Sequence, residues 1–156
     1  MADGGLPALS IRRVPFVEGH ALIAHMLRDH YEELAQFKDS DVLEPDTERY
    51  LRIEAAGLLL FLVAESDGYP VGYSVSILAN NLHYSATIVM QNDVLYVDRV
   101  HRHGRLGLQL IRATEKIAKE SGAHRMIWHA KKDTPLDMLL PKLGYQVLDI
   151  MHVRTL

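Results

Sequence analysis

Residues 93–122 read as a strand, a basic loop and a long helix in immediate succession, and that stretch restricts the fold more than any other. The strand DVLYVD, residues 93–98, ends near Val97. The helix begins near Leu106 and runs to Ser121; Leu106, Leu110, Ala113 and Ile117 form one apolar face, and Gly122 supplies the stop. The first-turn N–H groups of that helix have no partner within it, and the helix dipole adds partial positive charge at the same end. Arg99, Arg102 and Arg105 surround the site, with His101 and His103 beside them. A diphosphate is the natural guest of such a turn. A solvated basic bend is the plainer alternative. The loop lacks the G-x-G-x-x-G spacing of a dinucleotide fold and the G-K-[ST] of a nucleotide-triphosphate loop.

The rest of the chain supplies elements that can surround this unit. Residues 10–14 form a first strand, and Pro15 suits a helix start. Leu22, Ile23, Met26, Leu27 and Leu34 recur at helical spacing. Asp46 is a candidate N-cap for a second helix over 47–56, which Gly57 ends. Residues 58–64 (LLLFLVA) are apolar without alternation, as in a strand buried on both faces. The turn Ser66-Asp67-Gly68-Tyr69-Pro70 then leads into an alternating strand over 71–78, giving an antiparallel hairpin. Residues 84–90 are expected to be extended. Residues 124–130 form a further strand, Thr134-Pro135 opens a short helix ending near Gly144, and residues 145–153 form a last, apolar strand able to pair across a homodimer. This order predicts one α/β domain over 1–156, with residues 1–7 a flexible N-terminus.

Composition removes several function classes. The net charge of −3 counts against a nucleic-acid partner, and the absence of cysteine removes thiolate metal sites and a cysteine nucleophile. His20, His25 and His30 are five residues apart, about 140° around a helix, so they share no face. His101 and His103 are a single pair, and no metal is expected. The N-terminus has no signal-peptide pattern, and no apolar run is long enough to span a bilayer. A cytoplasmic protein without a membrane partner is the expectation.

The stretch VLYVDRVHRHGRLGLQLIRATEKIAKESGA resembles motif A of the GNAT superfamily of acyl-CoA N-acyltransferases, a strand followed by R/Q-x-x-G-x-G/A and a helix. Arg102 takes the first place and Gly107 the last; Arg105 stands where the middle glycine is usual. Pro70-Val71-Gly72-Tyr73 and Lys142-Leu143-Gly144-Tyr145 resemble two further motifs, and the likeness extends over residues 14–156. WHAKKDTPLDMLLPKLGY is similar to small acetyltransferases carried by phages and prophages. The resemblance implies a central, mostly antiparallel sheet of six to seven strands with a V-shaped splay, flanked by about four helices. It implies acetyl-CoA as cosubstrate, with its pyrophosphate on the main chain of Arg102, His103, Gly104, Arg105, Leu106, Gly107 and Leu108. The pantetheine arm is implied to lie along Tyr96, Val97 and Asp98. Displacement of the middle glycine raises the prospect of strain at Arg105, with Gly104 taking the tight bend instead.

Amide formation from a thioester needs a base to deprotonate the amine, a polarised carbonyl and a stabilised thiolate. The tyrosine that serves as acid in many relatives aligns with Leu140, and the asparagine at the head of that helix with Asp133. Asp93 is the candidate base, although it also fits as a cap of the turn Gln91-Asn92-Asp93. Tyr96 is the candidate substitute acid, although a sheet aromatic packed on the first helix is the plainer reading. The resemblance places residues 31–50, with seven acids against two bases, on the acceptor side. Glu32, Glu33, His83 and Tyr84 are its candidate lining, for a small-molecule or peptidyl amine drawn by the acidic rim. A non-catalytic acyl-CoA binder and an enzyme modifying a nucleic-acid base or host protein are the alternatives.

Overall fold

The computed structural model describes residues 8–156; the expected flexible terminus, residues 1–7, lies outside the described residues. Five strands form one sheet in the order β1 (Leu9–Arg13), β2 (Leu59–Ser66), β3 (Tyr69–Asn80), β4 (Ile88–Val97), β5 (Arg125–Ile127). The first four are antiparallel neighbours, and β5 joins β4 in parallel. The helices are α1 (Phe16–Leu34), α2 (Thr47–Ala55), α3 (Leu106–Glu120) and α4 (Pro135–Leu139).

Within the apolar run at 58–64 the strand starts at Leu59 and is buried on both faces, because each face has its own helical layer; Leu58 is exposed just before it. Leu59, Phe61 and Val63 pack with Ile23 and Met26 of α1, while Leu60, Leu62 and Ala64 pack with Leu106 and Leu110 of α3. Asp67 and Gly68, at φ of 50° and 80°, close the β2–β3 hairpin in two residues, a primed turn that matches strand twist. Asp46 caps α2 by accepting from Arg49 N at 3.0 Å. Pro15 precedes α1, whose first N–H, that of Phe16, donates to Glu54 Oε1 of α2 at 2.7 Å, so the two helices are tied at their shared end.

At Gly72 a side chain of α3 comes up against the sheet backbone. A Cβ there would lie 3.0 Å from the Tyr96 carbonyl oxygen, 3.3 Å from Val97 Cγ2 and 3.4 Å from Leu110 Cδ1. The glycine lets β3, β4 and α3 meet at the point where the loop into α3 begins.

Three expectations change. The segments at 84–90 and 93–98 merge into one strand, β4, which begins at Ile88; Tyr84 lies outside it in a turn. The strand expected over 124–130 pairs only at Arg125–Ile127. The last strand, residues 145–153, is not formed, so the sheet has five strands rather than six or seven. Val147, Leu148, Ile150, Met151 and Val153 are each at least 70% exposed. An apolar segment becomes a strand only where a neighbour offers free N–H and C=O groups, and three-residue β5 offers little edge. Tyr145 is instead turned inward, its hydroxyl donating to Glu115 Oε1 at 2.6 Å and its N–H to Leu140 O at 3.1 Å.

Candidate functional site

The site begins with a bulge. Along the β3–β4 ladder Val75 pairs with Val94 and Ser76 with Asn92, so Asp93 is an extra residue on β4. The bulge resets which side chains face which layer. Before it Met90 packs on the α3 side; after it Leu95 and Val97 do, while Val94 and Tyr96 turn to α1. Buried Asn92 fills the gap in the ladder, its amide donating to the carbonyls of Val75 at 3.2 Å and Val94 at 2.8 Å. Asp93 itself stands exposed. The Tyr50 hydroxyl of α2 donates to Asp93 Oδ2 at 2.5 Å, and the Tyr50 ring stacks on Phe16 at 4.8 Å. Burial, then the bond to Asp93, raises the Tyr50 pKa well above the usual phenol range.

Beyond the bulge the sheet splits. β4 and β5 pair only from Val89↔Arg125 to Gln91↔Ile127, and β4 then continues for six residues, from Asn92 to Val97, paired with β3 but no longer with β5. The Gln91 side-chain amide donates to His129 Nε2 at 2.7 Å, tying the two sides at the apex of this V. Asp98 N donates to Val71 O at 2.9 Å, so by antiparallel alternation Tyr96 and Asp98 turn their main-chain groups to β3, and Leu95 and Val97 turn theirs into the V. An extended ligand arm can therefore pair with Leu95 and with the Val97 N–H.

The V leads to the basic loop. A single 3-10 turn, Arg99–His101, is followed by residues 102–105 and the start of α3 at Leu106. The N–H groups of His103, Gly104 and Arg105 make no backbone hydrogen bond, and the first α-helical bond beyond them runs from Gln109 N to Arg105 O at 2.9 Å. No side chain caps α3. Arg105 has φ −98°, an ordinary value, so the displaced middle glycine leaves no strain there. Gly104 is not in the left-handed region either, so it takes no tight bend. What both loop glycines provide is room: a Cβ at Gly104 or Gly107 would meet nothing within 4 Å. A clear approach, unpartnered amides and a 15-residue helix N-terminus fit a diphosphate.

Other expected site residues are placed elsewhere. Tyr96 lies in the core on the α1 side, its ring stacked on His30 at 4.7 Å and 5.9 Å from that of Tyr73. Burial raises its pKa. His30 Nδ1 and the Tyr73 hydroxyl share a hydrogen bond of 2.6 Å, and burial lowers the His30 pKa to about 4. Glu33 turns to the loop: Arg102 Nη1 and Nη2 donate to its two carboxylate oxygens at 2.6 and 2.8 Å, and Arg99 Nε to Oε2 at 3.3 Å. Those bonds, Arg102 first, hold its pKa below the usual carboxylate value against the opposing effect of burial. Glu32 pairs with Lys38 at 3.3 Å. His83 and Tyr84 are exposed at the tip of the β3–β4 hairpin, where their N–H groups donate to Asn81 Oδ1 at 2.9 and 3.0 Å. Even Ile88, where β4 begins, is five residues from Asp93, about 16 Å of strand, so the fold does not bring this pair to the bulge. Leu140, at the expected acid position, is buried. Sequence reading missed Tyr50, Asn92, Gln91 and the contacts of His30 with Tyr73 and Tyr96. A polar Asn-Asp pair just before an apolar alternation was the one local signal, and it marked the bulge.

The sheet opens between β4 and β5, and β4 passes through an amide-lined loop into a helix, an arrangement with room for an extended, phosphate-bearing ligand. The sequence matches the Acetyltransferase (GNAT) family over residues 22–145, and the chain belongs to that family of acyltransferases. Comparison with curated protein sequences gives no match. Among solved structures, it is similar to an aminoglycoside acetyltransferase from an uncultured soil metagenomic sample (TM-score 0.73, 16% identity, covering 95% of this chain and 97% of that one). It is also similar to glucosamine-6-phosphate N-acetyltransferase from Arabidopsis thaliana (TM-score 0.71, 14% identity, 95% and 98% covered). A third is aminoglycoside N-acetyltransferase AAC(6')-Iy in complex with CoA (TM-score 0.71, 17% identity, 99% of both chains). At these identities the likeness is one of fold. Among the described residues no cluster of side chains suits a metal ion, and no helix is long and apolar enough to cross a membrane.

Proposed function

We propose that the protein moves the acetyl group of acetyl-CoA to a primary amine of a small molecule or peptide, by direct attack within a ternary complex. The observation that carries this reading is a pair of unpaired main-chain sets on one path, Leu95 and the Val97 N–H in the V and the N–H groups at the head of α3, joined by the 3-10 turn. The first part suits the pantetheine arm and the second the diphosphate. Asp93 stands on the acceptor side of the same strand and accepts the proton of the incoming ammonium, directly or through water. The amine lone pair then attacks the thioester carbon, the C–S bond breaks, and the proton shed by the attacking nitrogen passes through water to the departing thiolate. The packing of Tyr96 supports a role in holding the strand, and the proposal asks no proton of it.

Glu32, Glu33, Asp46 and Glu48 of the acidic segment are engaged with Lys38, the loop arginines, Arg49 N and Arg52 respectively. Asp39, Asp41 and Glu44 are exposed and remain to attract a cationic amine. The exposed apolar tail, residues 146–156, supports a homodimer as the working form. Calorimetric titration with CoA, followed by thiol release from acetyl-CoA with and without a polyamine, tests the reading. Micromolar binding and amine-dependent release that slows with ionic strength are expected. Absence of heat with CoA sinks the proposal. Binding without amine-dependent release favours instead a non-catalytic acyl-CoA module, the second reading that buried Leu140 supports.

A further inference from the structure

The side chain of Arg102 is turned back onto the protein. Its Nε donates to the Val97 carbonyl at 2.7 Å, inside the V, and both terminal nitrogens donate to Glu33. Its guanidinium lies 5.2 Å above the Tyr96 ring, which rests on His30 of α1. The first residue of the loop is thereby fastened to the end of β4 and to α1 at once. Glu33 sits in the last turn of α1, where the helix dipole disfavours a carboxylate and where no basic residue of the helix offsets it. Its stabilisation comes from across the fold, from Arg102 and Arg99.

We propose that Glu33 is a positioning residue for the diphosphate loop, serving the coenzyme rather than the acceptor. By holding Arg102 against the Val97 carbonyl it fixes the bend between β4 and α3, so that the N–H groups of residues 103–108 converge before the ligand arrives. The inference rests on the reading that this loop takes coenzyme A.

Two effects of opposite sign make it testable. Glu33→Gln removes a negative charge near a bound dianion. At about one Debye length that alone tightens binding by roughly twofold. Loss of the tie frees Arg102 and the bend, so each binding event must order them again, which weakens binding. Preorganisation is the larger effect if the proposal holds. Glu33→Gln then raises the calorimetric Kd for CoA about tenfold and the KM for acetyl-CoA alongside it, while the acceptor KM stays within about twofold. Arg102→Lys keeps the charge but loses the planar fork that reaches Val97 O and both Glu33 oxygens together, so it weakens CoA binding similarly. The double variant is no worse than either single one. Unliganded melting temperatures identify any variant that has lost its fold, in which case the other carries the test.

Unchanged or tighter CoA binding in a folded Glu33→Gln protein overturns the proposal. So does a rise in acceptor KM with CoA binding intact. If the unaltered protein binds CoA, only the role of Glu33 falls in these cases; if it gives no heat with CoA, the coenzyme reading falls as well.

Discussion

Mild acid should destabilise this protein through His30. The ring, on the penultimate turn of α1, is half-buried against the sheet, beside the Tyr73 hydroxyl and the Tyr96 ring. Burial lowers its pKa from 6.5 to about 4; Glu33 opposes the shift, and Lys131 and Arg102 add to it. With the folded pKa depressed, the unfolded chain binds the proton first. The associated stability is complete above about pH 6.5 and is lost progressively as pH falls toward 4. At pH 5 the imbalance comes to about 2 kcal/mol. Glu33 acts lower, because its depressed pKa keeps its contribution intact until the pH drops below its ordinary 4.5. The perturbation is therefore a shift from pH 7.5 to pH 5.0, in the natural protein and in His30→Leu, read by urea unfolding. His30→Leu also deprives Tyr73 of its partner, but that cost is the same at both pH values. The natural protein should lose about 2 kcal/mol more across the shift than the variant does. Equal losses, to within about 0.5 kcal/mol, would refute the claim that this histidine is held neutral by burial.

Gly72→Ala places a methyl group against the Tyr96 carbonyl and Leu110, and should cost about 1–3 kcal/mol in thermal or urea unfolding; an unchanged melting temperature counts against the close approach. Asp93→Asn should lower kcat by about a hundredfold or more while CoA binding stays put. A full rate in that variant removes Asp93 as the base; Tyr50→Phe should lower kcat by roughly tenfold through looser placement of Asp93, and a full rate there removes only the positioning role of Tyr50. Val147→Lys with Ile150→Lys should convert a dimer to a monomer in sedimentation velocity; identical sedimentation of both proteins shows that the tail makes no such contact.

The helices and the first hairpin were legible because their signals are local. Leu106, Leu110, Ala113 and Ile117 announce an amphipathic helix whatever it packs on, and Asp67-Gly68 closes a hairpin by its own backbone preference. The 145–153 strand failed on the same ground. Alternating or apolar residues state a willingness to pair, but a partner edge has to exist, and β5 stops at Ile127. His83 and Tyr84 were drawn to the site by residue type alone, and the length of β4 carries them away from it.

By itself the sequence determined a strand, a basic turn and a long helix in succession, because each rests on the local pattern of contiguous residues. It also determined a core layered on both sides of residues 59–64, because an unbroken apolar strand must be covered twice. Only the tertiary structure decided the partnerships: Tyr50 with Asp93, and Glu33 with Arg102, 43 and 69 residues apart. Those depend on sheet register, on a single extra residue at Asp93 that turns the rest of β4 over, and on how α1 and α2 dock across it. No spacing along the chain encodes such distances, because each is the sum of every turn and crossing between.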